Sequence, residues 1–97
     1  MTVLSDAEIE QRLASAGSWR RGEGEAADAI VRDLQLADFA AAIALVDRVA
    51  ELAEAANHHP DILVHGWNKV RLTLSTHSQG GLTDADFALA AQIDGVT

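Results

Sequence analysis

The chain has 97 residues, a formal net charge of −8 from 15 acidic and 7 basic side chains, and no cysteine. Disulfides and thiolate metal sites are therefore excluded, and so acidic a surface disfavours nucleic acid and anionic membrane as partners. With 48 % hydrophobic residues, no apolar run near the ~20 residues that cross a bilayer and no basic-then-apolar leader, the sequence reads as one cytoplasmic domain over residues 1–97.

Ser5 and Glu8 form a capping box with Leu4 and Ile9 as a hydrophobic staple, which predicts a helix over about 5–15. Trp19 to about Glu23 is a short candidate strand. Ala29 to Leu36 is a second, with Ile30, Leu34 and Leu36 on one face and Arg32 as the exception. The Ala-rich stretch from Asp38 to Ala56 is the longest predicted helix, with Asp38 as N-cap and Asn57 suited to the left-handed position beyond its end.

That helix carries two apolar stripes. One is Phe39, Ile43, Val46 and Ala50; the other is Ala42, Leu45, Val49 and Leu52. A small domain has too little sheet to hide both, so the second stripe is expected to meet another subunit. The alternative is that the third helix covers it.

Ile62–Val64 is a short apolar strand. Trp67–Thr76 alternates, with Val70, Leu72 and Leu74 on one side and Lys69, Arg71, Thr73 and Ser75 on the other. Thr83 and Asp86 repeat the capping box, with Leu82 and Phe87 as staple, and start a helix over about 83–94. Gly22-Glu23-Gly24 and Gly80-Gly81 read as turns. The order α-β-β-α-β-β-α points to an α+β fold, an antiparallel sheet with helices on one face.

Three histidines stand where chemistry would need them. His58 and His59 follow the long helix, and Pro60 forces His59 into extended backbone, so the two rings diverge. His58 lies at the negative helix end, four residues after Glu54, a setting that suits a proton donor. His77 closes the last strand with the parity of Trp67, Thr73 and Ser75. Each has a plainer reading: a helix-end histidine as a cap, Asp86 as a capping-box residue, Trp67 as packing, His65 as a turn residue. Zinc ligation by His58, His59, His65 and His77 with Glu54 is a competing possibility, ranked lower because the spacing fits no zinc motif.

The pattern Glu54, His58-His59-Pro60, Trp67, His77, Asp86 resembles the pterin-4a-carbinolamine dehydratase family. So do Asn68-Lys69-Val70, Leu72 to His77, Gly81-Leu82-Thr83 and the stretch from Leu34 to Ala50, so that the resemblance spans nearly the whole chain. It implies a four-stranded antiparallel sheet with three helices on one face. It also implies dehydration of 4a-hydroxytetrahydrobiopterin to quinonoid dihydrobiopterin, in recycling of the pterin after aromatic amino-acid hydroxylation. On that resemblance His58 and His77 act as acid and base, His59 helps bind the pterin, and Glu54 and Asp86 position the histidines, with Pro60 and Trp67 as supporting residues. No metal and no cofactor are expected, and the partners are the pterin and further copies of the chain in a homodimer or homotetramer. Some relatives also serve as protein-binding or dimerisation partners, which makes an interaction module the alternative. Animal members carry aromatic side chains where this chain has Ile62 and Leu63, so aliphatic packing replaces any ring contact there.

Overall fold

The computed structural model describes residues 2–97, and the elements follow the expected order. Both capping boxes form. Before α1 (Asp6–Ser15), Ser5 Oγ accepts from the Glu8 amide at 3.2 Å and Glu8 Oε1 accepts from the Ser5 amide at 3.0 Å. Before α3 (Asp84–Asp94), the Thr83 amide donates to Asp86 Oδ2 at 2.9 Å. The staple residues Leu4, Ile9, Leu82 and Phe87 all join the core, and the Leu4 amide donates to the Leu82 carbonyl at 2.8 Å, tying the two helix starts together.

Strands β1 (Arg20–Arg21), β2 (Ile30–Gln35), β3 (Asp61–His65) and β4 (Lys69–Leu74) form one antiparallel sheet in the order β1-β2-β4-β3. Period-two alternation divides it into two faces. Ile30, Leu34, Ile62, Val64, Val70, Leu72 and Leu74 pack against the helices. Each fully buried Leu or Ile there contributes about 1.5–3 kcal/mol through removal from water. Asp33, Arg71 and Leu63 form one register row of the opposite, open face, and Val31, Thr73 and Asp61 form the next.

Helix α2 (Phe39–Ala56) is capped by Asp38, whose carboxylate accepts from the Ala41 amide at 2.7 Å, and it ends at Asn57 with φ of 49°. Ala42, Leu45, Val49 and Ala53 are its core face, while Phe39 and Ile43 remain 55 % and 38 % exposed. The apolar stripe left over by the chain's own packing is therefore the Phe39–Ile43 one. The stripe containing Leu45, expected at a subunit contact, is consumed by the sheet and α3.

Three strand boundaries fall two residues inside those read from the sequence, and the others agree to within one. β1 is only two residues long, because Gly22 turns the chain so tightly that a Cβ there would lie 2.2 Å from the Ala26 carbonyl oxygen. β4 starts at Lys69 rather than Trp67, because Gly66 and Trp67 both take positive φ, 53° and 57°, in the hairpin turn. It stops at Leu74, and His77 opens a short 3₁₀ turn, His77–Gln79, instead of closing the strand.

Candidate active site

Three segments meet at one end of the sheet. The register pairs Asp61 with Thr73, so the chain entering β3 (His58, His59, Pro60) and the chain leaving β4 (Ser75, Thr76, His77) lie together. The start of α3 brings Asp86 to the same end. The His58 amide donates to the Ala53 carbonyl at 3.1 Å, closing α2 across the left-handed Asn57 and fixing where the His58 side chain departs.

His58 Nε2 lies 2.5 Å from Asp86 Oδ1, with the imidazole 15 % exposed and the carboxylate fully buried. Asp86 Oδ2 accepts from the Thr83 amide at 2.9 Å and from the Thr76 hydroxyl at 2.8 Å. Asp86 is thus both the capping-box residue and the partner of His58, one oxygen serving each role. A carboxylate only accepts, so Nε2 of His58 is the donor and Nδ1 is the ring nitrogen left for a ligand.

His59 points elsewhere. Its Nε2 is 3.4 Å from Glu54 Oε2, and both side chains are exposed. Glu54, four residues before His58, therefore partners the neighbouring histidine. Pro60 is half-buried between the pair and β3.

His77 is exposed and lines a cavity of about 360 Å³ on the open face together with Asp61, Thr73, Ser75, Asp28 and Glu25. Gly80 completes that wall; its φ of 76° lets its amide turn back to the Thr76 and His77 carbonyls at 3.0 and 3.1 Å. The Ser75 hydroxyl donates to the Asp28 carbonyl at 2.9 Å, anchoring the loop before β2 to the end of β4. Beside the cavity, Arg71 Nε at 2.7 Å and Arg20 Nη1 at 2.7 Å flank Asp33. The hydrogen bond from Arg71, reinforced by Arg20, holds the Asp33 carboxyl below the usual carboxylate range.

Trp67 is not brought to this end. It sits on the hairpin tip, 62 % exposed, about 13–20 Å along β4 from Thr73 at ~3.3 Å per residue. Among the described residues, no group of three or more His, Asp or Glu side chains is disposed to hold a metal ion. Nor is any helix long and apolar enough to cross a membrane.

Sequence reading passed over Thr76, Thr83, Asp61, Ser75 and Asp28. Thr76 had a signal: it shares the parity of Val70, Leu72 and Leu74, and a polar residue on a core-facing parity needs a partner. Thr83 was visible only as a cap.

Comparison with known proteins agrees with this architecture. The family model for pterin 4 alpha carbinolamine dehydratase matches residues 2–96. A protein of Chloroflexus aurantiacus, provisionally named pterin-4-alpha-carbinolamine dehydratase, is 55 % identical over 94 residues, covering 97 % of this chain and 96 % of its own. A Nocardia farcinica protein with the same provisional name is 53 % identical over 92 residues, covering 95 % of this chain and 92 % of its own. Among solved structures, a transcriptional coactivator/pterin dehydratase from Brucella melitensis superposes with a TM-score of 0.90 at 29 % identity, over 98 % of both chains. A pterin dehydratase-like protein described as a RuBisCO assembly factor in the alpha-carboxysome superposes with a TM-score of 0.64 at 28 % identity, over 81 % of this chain and 88 % of its own. The chain belongs to the pterin 4 alpha carbinolamine dehydratase family.

Proposed function

We propose that this member of the pterin 4 alpha carbinolamine dehydratase family is a hydro-lyase that dehydrates 4a-hydroxytetrahydropterins, with His58 and His77 as the proton-transferring groups. The observation that carries the reading is that His58 and Thr76, the residue before His77, meet on buried Asp86 at one sheet end, while His77 opens on a cavity that His58 itself does not line.

In the reaction the C4a–oxygen bond breaks and its electron pair leaves with the hydroxyl, which gains a proton and departs as water. The adjacent ring nitrogen loses its proton, and its electrons form the new carbon–nitrogen double bond. One proton is given and one is taken, so no net acid or base is consumed. Histidine performs either transfer near neutral pH, each worth ~10²–10⁴ in rate. With Nε2 of His58 committed to Asp86, exchange with the substrate falls to Nδ1. His77 has its ring on the open side and no carboxylate partner among the described contacts. His59, exposed beside Glu54, contributes to binding the pterin, and Pro60 sets its direction. A cytoplasmic setting and a role in recycling tetrahydrobiopterin go with this reading.

The chain also acts as a homo-oligomer in this proposal. The unpartnered Phe39–Ile43 stripe supports that reading, because about 25 cal/mol per Å² is gained by covering it. The same stripe favours a second reading, an interaction module, which the RuBisCO assembly factor of similar fold exemplifies. Dehydration of freshly generated 4a-hydroxytetrahydrobiopterin, followed by ultraviolet absorbance with a chelator present, separates the two. Acceleration over the spontaneous reaction supports the enzyme; none supports the module.

A further inference from the structure

We infer that Thr76 is a positioning residue: its hydroxyl completes a one-way chain of donors that aims Asp86 at His58 and so fixes which nitrogen of His58 meets the substrate. The inference rests on the dehydratase reading for its kinetic consequence, and on geometry alone for the rest.

The direction of the chain follows from the donors. Asp86 Oδ2 can only accept, so the single Thr76 hydroxyl proton is spent on it at 2.8 Å. The 2.9 Å contact between Thr76 Oγ1 and Thr83 Oγ1 must then be donated by Thr83. Thr83 Oγ1 in turn accepts from the Ala85 amide at 3.3 Å. Ala85 amide, Thr83 hydroxyl, Thr76 hydroxyl and Asp86 carboxylate thus point the same way, and the carboxylate delivers its other oxygen to His58. Thr76, Thr83 and Asp86 are all buried, so water cannot replace a missing link. No buried side-chain polar atom among the described residues lacks a partner, and this chain is the reason at this place.

The Thr76 hydroxyl stands between Thr83 Oγ1 and Asp86 Oδ2. Thr76 is also the residue before His77, and its backbone pairs with Gly81 in an isolated bridge. One side chain thereby links the segment carrying His77 to the carboxylate that holds His58. Removing the hydroxyl leaves Asp86 Oδ2 with the Thr83 amide as its one remaining donor, which loosens the carboxylate's aim at the ring, and leaves the Thr83 hydroxyl without an acceptor.

The test compares Thr76→Val, which keeps the shape, with Thr76→Ser, which keeps the hydroxyl. T76V is expected to lose about 10- to 100-fold in kcat, the worth of one buried hydrogen bond to a charged group, with KM near wild type. T76S is expected to retain most of kcat. Nitrogen-resolved NMR without substrate should show His58 as the Nε2–H tautomer, with a slowly exchanging ring proton, in wild type and T76S; that protection should be lost in T76V. A merely structural threonine would lower the melting temperature and leave the ring proton and kcat alone, and that result overturns the inference. If T76V does not fold, Thr76→Ala takes its place and is judged by the same ring-proton and kcat readings. Because the ring proton is read without substrate, a protein that shows it and loses it in T76V yet dehydrates nothing contradicts the enzymatic reading alone.

Discussion

The His58 imidazole stands 2.5 Å from a carboxylate, that of Asp86, which has no exposed surface and which also closes the capping box of α3. Three donors converge on Asp86: His58 Nε2–H, the Thr76 hydroxyl and the Thr83 amide. Asp86→Asn would set an amide NH₂ against one of them. The expected result is a loss of about 1–3 kcal/mol in stability together with a fall in kcat, read by denaturant unfolding and by initial rates.

The neighbouring pair behaves differently. Glu54 and His59 are exposed and 3.4 Å apart, a geometry in which ion pairs contribute little. Glu54→Gln should change stability by no more than about 0.5 kcal/mol. His59→Ala should raise KM while kcat stays near wild type, and steady-state kinetics separates the two effects.

Assembly is expected to depend on Ile43, not on Leu45. Ile43→Glu places a charge on the exposed stripe and should yield a folded chain of lower mass by light scattering. Leu45 is 1 % exposed in the core, so Leu45→Glu should unfold the protein and would report nothing about subunits. An Ile43→Glu protein of unchanged mass would move any interface off α2.

Acid should weaken the open face. The folded-state carboxyl of Asp33 titrates below its usual range because Arg71, and then Arg20, bond to it. Its stabilising contribution is therefore complete above the ordinary carboxylate range and is lost as pH falls through that range and the lower folded value. The melting-temperature gap between wild type and Asp33→Asn should shrink as the pH is taken from about 6 to about 3. The pair is roughly half exposed, so the gap itself should be small and shrink further with salt.

Local signals carried most of the fold. The two capping boxes and their staples stand where Ser5, Glu8, Thr83 and Asp86 put them, because a helix start is decided by residues within one turn. The α-β-β-α-β-β-α order followed from periodicity. Long-range partners were not legible. Arg32 looked like a break in the apolar face of β2; in fact its guanidinium meets Asp94 Oδ1 at 2.5 Å, an oxygen that Trp19 Nε1 also reaches at 2.9 Å. Nothing near Arg32 in sequence announces a carboxylate at the end of α3. For the same reason Glu54, close in sequence, looked like the natural partner of His58, while the actual partner lies 28 residues on. Trp67 misled through parity: alternation assumes an unbroken strand, and two positive-φ residues in succession end it.

The most direct test of the account is the dehydration rate of 4a-hydroxytetrahydrobiopterin for wild type, His58→Ala and His77→Ala, measured with a chelator present. The account predicts fast dehydration by wild type and a loss of about 10²-fold or more in each variant, as removal of a proton-transfer group implies. Full wild-type activity in either folded histidine variant would contradict the role given to that residue, and a wild-type rate no faster than the spontaneous reaction would contradict the central claim.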